Sequence, residues 1–116
     1  MNLDDARRFA LSLPETTEAP HFDKQSFRVQ GKIYATVPTD GDHLHIFVDE
    51  DEAHAAVAEC PAGCVELYWG KKLVGVRVTL SEADPEMVVE LLEDSWRRRA
   101  PDNVIARRDS EAGRDA

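Results

Sequence analysis

Hydrophobic and polar residues alternate along the chain with two different periods, which divide it into helices and strands. Across residues 3–13 the apolar positions recur at helical spacing, which predicts an amphipathic helix with one buried stripe. Asn2 is a favourable N-cap for this helix, and Pro14 marks its end. The predicted stripe consists of Leu3, Ala6, Phe9, Ala10 and Leu13.

The next part of the chain changes from no periodicity to strict alternation. Residues 14–24 contain two prolines and no repeat, so we predict a loop. Apolar and polar residues then alternate in residues 26–30, 33–37 and 43–48, which predicts three strands with one covered face. Gly31 can supply the positive φ of a tight hairpin turn, and Asp40-Gly41 forms the centre of a second turn.

The second half repeats these signals. Residues 49–60 begin with four acids and continue with alanines, which predicts a short helix capped by Asp49 or Asp51. Alternation in residues 64–69 and 74–80 predicts a fourth and a fifth strand, joined by the turn at residues 70–72. Asp84 before Pro85 is a strong start signal for the last helix, which ends at Pro101.

The element order is therefore α-β-β-β-α-β-β-α, which predicts the fold class. Short connections favour antiparallel hairpins, and three amphipathic helices need one sheet face to cover. We predict an α+β two-layer sandwich, in which an antiparallel five-stranded sheet carries all helices on one face. Residues 1–106 form a single domain in this prediction, and residues 107–116 form a charged, disordered tail.

The alternation also assigns each strand residue to a face. The aliphatic residues, together with Trp69, are expected to face the helices. The other face should carry Arg28, Lys32, Tyr34, Thr36, His43, His45, Phe47, Glu66, Tyr68, Arg77 and Thr79. This collection of aromatic and basic side chains is suited to binding a partner. The alternative is a solvated face whose cross-strand pairs only stabilise the sheet.

Charge and the chain start restrict the classes of partner. The formal net charge of −9 opposes general affinity for a polyanion or an anionic membrane, although a local basic patch could still act. No apolar run is long enough to cross a bilayer. The acidic start, Met1-Asn2-Leu3-Asp4-Asp5, does not resemble a signal peptide, so we expect a cytoplasmic protein.

The sequence contains only weak signals for a catalytic, metal-binding or redox site. Cys60 and Cys64 are interpreted as two small buried thiols rather than as a metal or redox pair. No histidine, serine or glycine pattern matches a metalloprotease, a nucleophile elbow or a phosphate loop. We therefore expect a non-enzymatic protein without a cofactor or metal. Residues 97–99, three arginines at a helix end, are interpreted as structural because cations favourably meet the negative end of the helix dipole.

The sequence resembles the bacterial MmcQ/YjbR family. The resemblance rests on "ALSLPETTEAPHFDKQSFRVQGKIYATV", "YWGKKLVGVRVTL" and "LLEDSWRRRAP" and extends from Asp4 to about Arg107. It implies the fold predicted above. It also implies DNA binding, because the sheet and hairpins of the family look like the double wing of a phage transcription activator. In a common family form a tryptophan follows the Gly-Lys-Lys turn, where this chain has Leu73 and Val74.

Two partner hypotheses follow. In the first, the sheet face and hairpin turns bind nucleic acid, and Lys71, Lys72, Arg28 and Arg77 contact phosphates. In the second, the chain is an acidic protein-interaction module that depends mainly on Tyr34, Phe47 and Tyr68. The candidate binding residues of both hypotheses together are Arg28, Lys32, Tyr34, His45, Phe47, Tyr68, Lys71, Lys72 and Arg77.

Overall fold

The computed structural model describes residues 1–115, and it describes side chains for residues 1–111. The fold is α+β, with helices on one face of an open antiparallel sheet in the strand order β1-β2-β3-β4-β6-β5. The elements are α1 (Leu3–Ser12), β1 (Thr16–His21), β2 (Lys24–Val29), β3 (Lys32–Val37), β4 (His43–Phe47), α2 (Glu50–Glu59), β5 (Cys64–Trp69), β6 (Lys72–Thr79), α3 (Pro85–Arg99) and α4 (Asp102–Asp115).

Three helices begin at the residues that the sequence indicated. The side chain of Asn2 accepts a hydrogen bond from the backbone N–H of Asp5, and the carboxylate of Asp5 accepts one from the backbone N–H of Asn2. Asp49 and Asp84 cap α2 and α3 in the same way, by accepting from a backbone N–H in the first turn. Each cap satisfies a helix N–H that has no partner within its own helix.

The hydrophobic core lies between the helices and one face of the sheet. The long helix α3 crosses β2, β3 and β4, while α2 covers β5 and β6. Trp96 of α3 is fully buried, and its indole N–H donates to the carbonyl oxygen of Pro14 at 3.0 Å. The opposite face of the sheet, called here the outer face, is not covered by any helix within residues 1–115.

The sheet has six strands, so the prediction of five was one too few. The additional strand is β1, which occupies part of the segment predicted as a loop. It pairs with β2 from Thr16↔Val29 to His21↔Lys24 and lies at the sheet edge. An edge strand tolerates Pro20, because the missing N–H is not needed for a second ladder.

A β-bulge in β3 reverses the predicted faces of two residues. Phe27 pairs with Ala35, but Arg28 pairs with Ile33, which leaves Tyr34 as the extra residue. Tyr34 is therefore fully buried on the helix side, where its hydroxyl lies 3.0 Å from Thr16 Oγ1. Ile33 lies on the outer face instead. The predictions for Tyr34 and Ile33 were wrong because one inserted residue shifts the alternation.

The predicted phase of β5 was also wrong. Cys64 pairs with the core residue Val78 and is buried, whereas Val65 and Trp69 are 52% and 63% exposed. Glu66 faces α2, where its Oε1 lies 2.8 Å from Nδ1 of His54. The apolar side of β5 is thus turned to the outer face, where no helix covers it.

The C-terminal segment continues as α4, whereas its sequence predicted a disordered tail from residue 107. Val104 of α4 is buried in the core. Arg107 pairs with Glu15 at 2.7 Å, and Arg108 pairs with Glu93 at 3.0 Å. Residue 116 of the expected tail lies outside the described residues. Among the helices of residues 1–115, none is long and apolar enough for a membrane span.

Candidate binding groove on the outer face

The outer face contains a groove with a cavity volume of about 730 Å³, called here the outer groove. Its walls are the β1–β2 turn at residues 21–24, the β2–β3 turn at residues 31–33 and the last turn of α3 at Arg99. A second cavity of about 300 Å³ adjoins it and shares Phe47, Trp69 and Arg99 with it. The two cavities therefore meet at these three residues.

Two aromatic side chains from different strands form one end of the outer groove. The rings of Phe47 and Trp69 lie 5.1 Å apart between centroids and are tilted by 58°. Phe47 is only 6% exposed, whereas Trp69 is 63% exposed. The buried ring therefore supports the exposed one, so the indole of Trp69 is a fixed surface that is open to a ligand.

The β1–β2 turn, another wall of the groove, carries an aromatic residue in a strained conformation. Because His21 pairs with Lys24, Phe22 and Asp23 form a two-residue hairpin turn. Phe22 has φ of +57°, a left-handed conformation that favours glycine at this turn position. Its side chain is nevertheless 93% exposed, with only an edge contact to the ring of His21 at 4.8 Å.

A chain of polar groups leads from the groove residue His45 through Arg77 to Asp40. Nη1 of Arg77 lies 3.3 Å from Nε2 of His45, and Nη2 of the same residue lies 3.3 Å from Oδ2 of Asp40. Arginine can only donate, so Nε2 of His45 accepts and the neutral ring carries its proton on Nδ1. Burial, with Arg77 and Lys24 nearby, lowers the pKa of His45 to about 4. His45 is thus a neutral group in a positive local field.

The cations of the chain are segregated by face. Among the described side chains, those without a carboxylate at ion-pair distance are Lys24, Arg28, Lys32, Lys71, Lys72, Arg98 and Arg99. They include every lysine, and they lie on the outer face, in its turns or at the end of α3. The paired arginines lie in the helix layer, except for Arg77. The unneutralised positive charge is therefore concentrated around the outer groove.

Most of the predicted binding residues lie in or beside the two cavities. Lys32, His45 and Phe47 line the outer groove, and Lys72 lines the second cavity. Lys71 is exposed in the turn next to Trp69, and Arg77 contacts His45. Arg28 donates to Ser26 Oγ at 2.9 Å and to the carbonyl oxygen of Pro20 at 3.1 Å.

Two predicted residues do not belong to this site. Tyr34 is buried in the core, as described above. Tyr68 lies on the helix side of β5, where its hydroxyl donates to Glu66 Oε2. That hydrogen bond raises the pKa of Tyr68. A binding surface that includes Tyr34 and Tyr68 is therefore wrong.

Sequence reasoning missed Phe22, Trp69 and Arg99 as groove residues. A large apolar residue between Pro20 and a charged pair was a usable signal for Phe22, because such loops are normally polar. Trp69 was assigned to the core by the phase of β5. Arg99 belongs to the run of three arginines at residues 97–99, which was interpreted as structural, because its place beside the groove depends on where α3 crosses the sheet.

Other reactive groups lie away from the outer groove. Burial raises the pKa of the Cys64 thiol to about 11, and its Sγ lies 3.8 Å from Sδ of Met87. In the same layer, burial and the neighbouring carboxyl group of Asp94 raise the pKa of Glu52 to about 8. Within the described part of the chain, no group of three or more His, Cys, Asp or Glu side chains is arranged to hold a metal ion.

Comparisons with known proteins support the resemblance seen in the sequence. No curated protein matches the chain. Protein DR2400 of Deinococcus radiodurans, whose crystal structure contains a DUF419 domain, is similar, with 28% sequence identity and a TM-score of 0.69. The similarity covers 82% of this chain and 75% of that protein's chain. A family model described as YjbR matches residues 11–98, so the chain belongs to the YjbR family.

Proposed function

We propose that this chain is a nucleic-acid-binding protein that acts by binding rather than by catalysis, through the outer groove and the adjoining turns. The observation that carries the proposal is the segregation of charge. Among the described side chains, each arginine of α1 and α4 is held by a carboxylate, whereas Lys24, Lys32 and Arg99 around the groove are not. Unpaired lysines and arginines are the groups that contact phosphates and release counterions from them.

The net charge of −9 does not oppose this proposal at short range. At physiological salt the Debye length is about 8 Å, so a phosphate in the groove interacts mainly with nearby charges. Lys24, Lys32 and Arg99 line the outer groove, where Asp23 is the single carboxylate among the lining residues. The distant acids reduce the association rate and the non-specific affinity more than they affect the bound state.

A second candidate function is protein interaction through the edge strand β5. Val65 is 52% exposed on the outer side of this strand, in line with Trp69. One edge of β5 has no partner strand, and such an edge can accept an extended peptide. This function would depend on Val65 and would change little when the groove lysines are removed.

A salt titration tests the first function. Binding of a fluorescently labelled oligonucleotide, followed by anisotropy between about 50 and 200 mM salt, should weaken steeply as salt rises. The double variant K24A/K32A should weaken binding and lower the salt slope by about 1 for each lysine removed.

R8A is the matched control, because Arg8 is an exposed cation of the helix layer, paired with Asp5 at 3.6 Å. Its salt slope should equal that of the unmodified chain. Absence of binding at the lowest salt would overturn the proposal. Equal effects of R8A and K24A/K32A would overturn the assignment to the groove.

A further inference from the structure

We infer that the outer groove accepts unpaired nucleotides, with a base stacked on Trp69 and phosphates held by Lys24, Lys32 and Arg99. This inference rests on the proposed function and restricts it to single strands of DNA or RNA, whose base and phosphate chemistry is shared. A duplex hides its base faces in the stack, so an aromatic side chain can stack only on a base that is unpaired.

The first support is the position of Trp69. It closes one end of the outer groove and also lines the second cavity, so a strand that crosses both cavities passes its indole. Phe47 packs against one side of Trp69, which leaves the other side open. A stacking platform that is held in place before binding loses little conformational entropy when a base arrives.

The second support is the strain at Phe22. Glycine would relax the backbone at φ +57° and would remove an exposed ring from water. The ring contributes no core contact, so folding does not explain why phenylalanine occupies this turn position. Strain held at an exposed aromatic residue indicates a role in binding. Phe22 lines the same groove as Trp69, on a different turn, where it can contact a second base.

The third support is the match of size and charge. A cavity of about 730 Å³ lies within the roughly 300–1,000 Å³ of pockets that hold small organic ligands. It can therefore accommodate nucleotide units. Cations lie on both walls, Lys24 on the first turn and Arg99 at the end of α3, so phosphates on either side of a stacked base meet positive charge.

The different exposure of the two tryptophans allows stacking on Trp69 to be measured by fluorescence. Trp69 is exposed and Trp96 is fully buried, so a stacked base should quench only the emission of Trp69. The probes are oligothymidylate and oligouridylate of about 12 nucleotides, within the roughly 4–16 nucleotides that a small single-strand-binding domain covers. A mixed-sequence duplex of the same length is the comparison. Either single strand should quench Trp69 and bind more tightly than the duplex.

Variants separate stacking from charge. W69A should weaken single-strand binding about tenfold or more, whereas W69F should retain most of the affinity, because any aromatic ring can stack. F22G should weaken single-strand binding without unfolding the hairpin. V65A is the control, since it removes exposed apolar area from the same strand outside the groove, and its affinity should be unchanged.

The outcomes distinguish the inference from the proposed function. Tighter binding of the duplex, with affinity unchanged in W69A, would overturn the single-strand inference and leave nucleic-acid binding in place. Absence of binding by every probe at low salt would overturn both. Affinity that differs between oligothymidylate and oligouridylate, with loss of both in W69A, would support the inference and show which of the two strands the groove prefers.

Discussion

The side-chain hydroxyl of Ser95, in the middle of α3, lies 2.6 Å from the backbone carbonyl oxygen of Tyr34 on β3. The same hydroxyl lies 2.6 Å from the carbonyl oxygen of Phe47 on β4. The β3–β4 ladder pairs only Ala35↔Ile46 and Thr36↔His45, so it has ended at these two residues. Ser95 therefore provides the hydrogen bond that the ladder no longer supplies, and it connects the bulge at Tyr34 to the groove residue Phe47.

Replacing Ser95 tests this connection. S95A leaves buried carbonyl oxygens without a donor, and we expect the free energy of unfolding to fall by about 1–3 kcal/mol. Urea unfolding should show a lower midpoint with an unchanged slope. S12A is the control, because the Ser12 hydroxyl is exposed and bonds locally to the carbonyl oxygen of Phe9. Equal stability of S95A and the unmodified chain would contradict the role assigned to Ser95.

The strain at Phe22 predicts an unusual effect on stability. F22G should leave the free energy of unfolding unchanged or raise it by up to about 1 kcal/mol, because glycine adopts positive φ without steric cost. Thermal unfolding of the variant measures this effect. A loss of more than about 1 kcal/mol would show that the ring stabilises the hairpin, and the argument from strain to binding would fail.

Much of the fold could be predicted because local signals decide it. The caps at Asn2, Asp49 and Asp84 are short-range hydrogen bonds, so sequence spacing alone was sufficient to place the helix starts. The strand β1 could not be predicted in this way. Its residues have no alternation, and it forms because β2 offers a free edge that the preceding chain can reach.

The candidate site could be predicted only in part, because strand faces depend on tertiary contacts. The bulges that leave Tyr34 and Val74 as extra residues shift the alternation by one position. No residue type in β3 indicates its bulge, whereas Gly75 in β6 was a usable signal, because an isolated glycine in a strand often marks a bulge. The phase of β5 depends on which face α2 covers. His45, Phe47 and Arg77 were placed correctly on the outer face, since their strand segments contain no insertion.

The carboxyl group of Glu52 on α2 lies next to Asp94 of α3. Its raised pKa predicts that the free energy of unfolding depends on pH. Burial, followed by the nearby Asp94, raises its pKa from 4.5 to about 8. Between these values the unfolded chain loses the proton and the folded chain keeps it, so stability falls as pH rises. E52Q removes this effect and should raise the melting temperature near pH 9, with little change near pH 4.

The measurement is thermal unfolding of both proteins across that pH range. D51N is the control for the change in net charge, because Asp51 is exposed on the same helix. An E52Q melting temperature that stays parallel to that of the unmodified chain from pH 4 to pH 9 would contradict the pKa assigned to Glu52.

The pKa of His45 should show whether an oligonucleotide occupies the outer groove. Burial and the charges of Arg77, Lys24 and His43 lower its pKa to about 4, and Asp40 opposes them only weakly. A bound phosphate adds negative charge beside the ring, so the pKa of His45 should rise when oligothymidylate fills the groove. Titration of the ring nitrogens by ¹H–¹⁵N NMR, with and without the oligonucleotide, measures the change.

A second histidine, observed in the same spectra, is the control for this titration. His54 lies on α2 beside Glu66, on the opposite side of the sheet, so its ring signals at neutral pH should not respond to the oligonucleotide. K24A should reduce the response of His45, since Lys24 is one of the cations that would hold the phosphate there. If both histidines respond alike, the oligonucleotide is bound non-specifically, because a ligand held in the outer groove can reach only one of them.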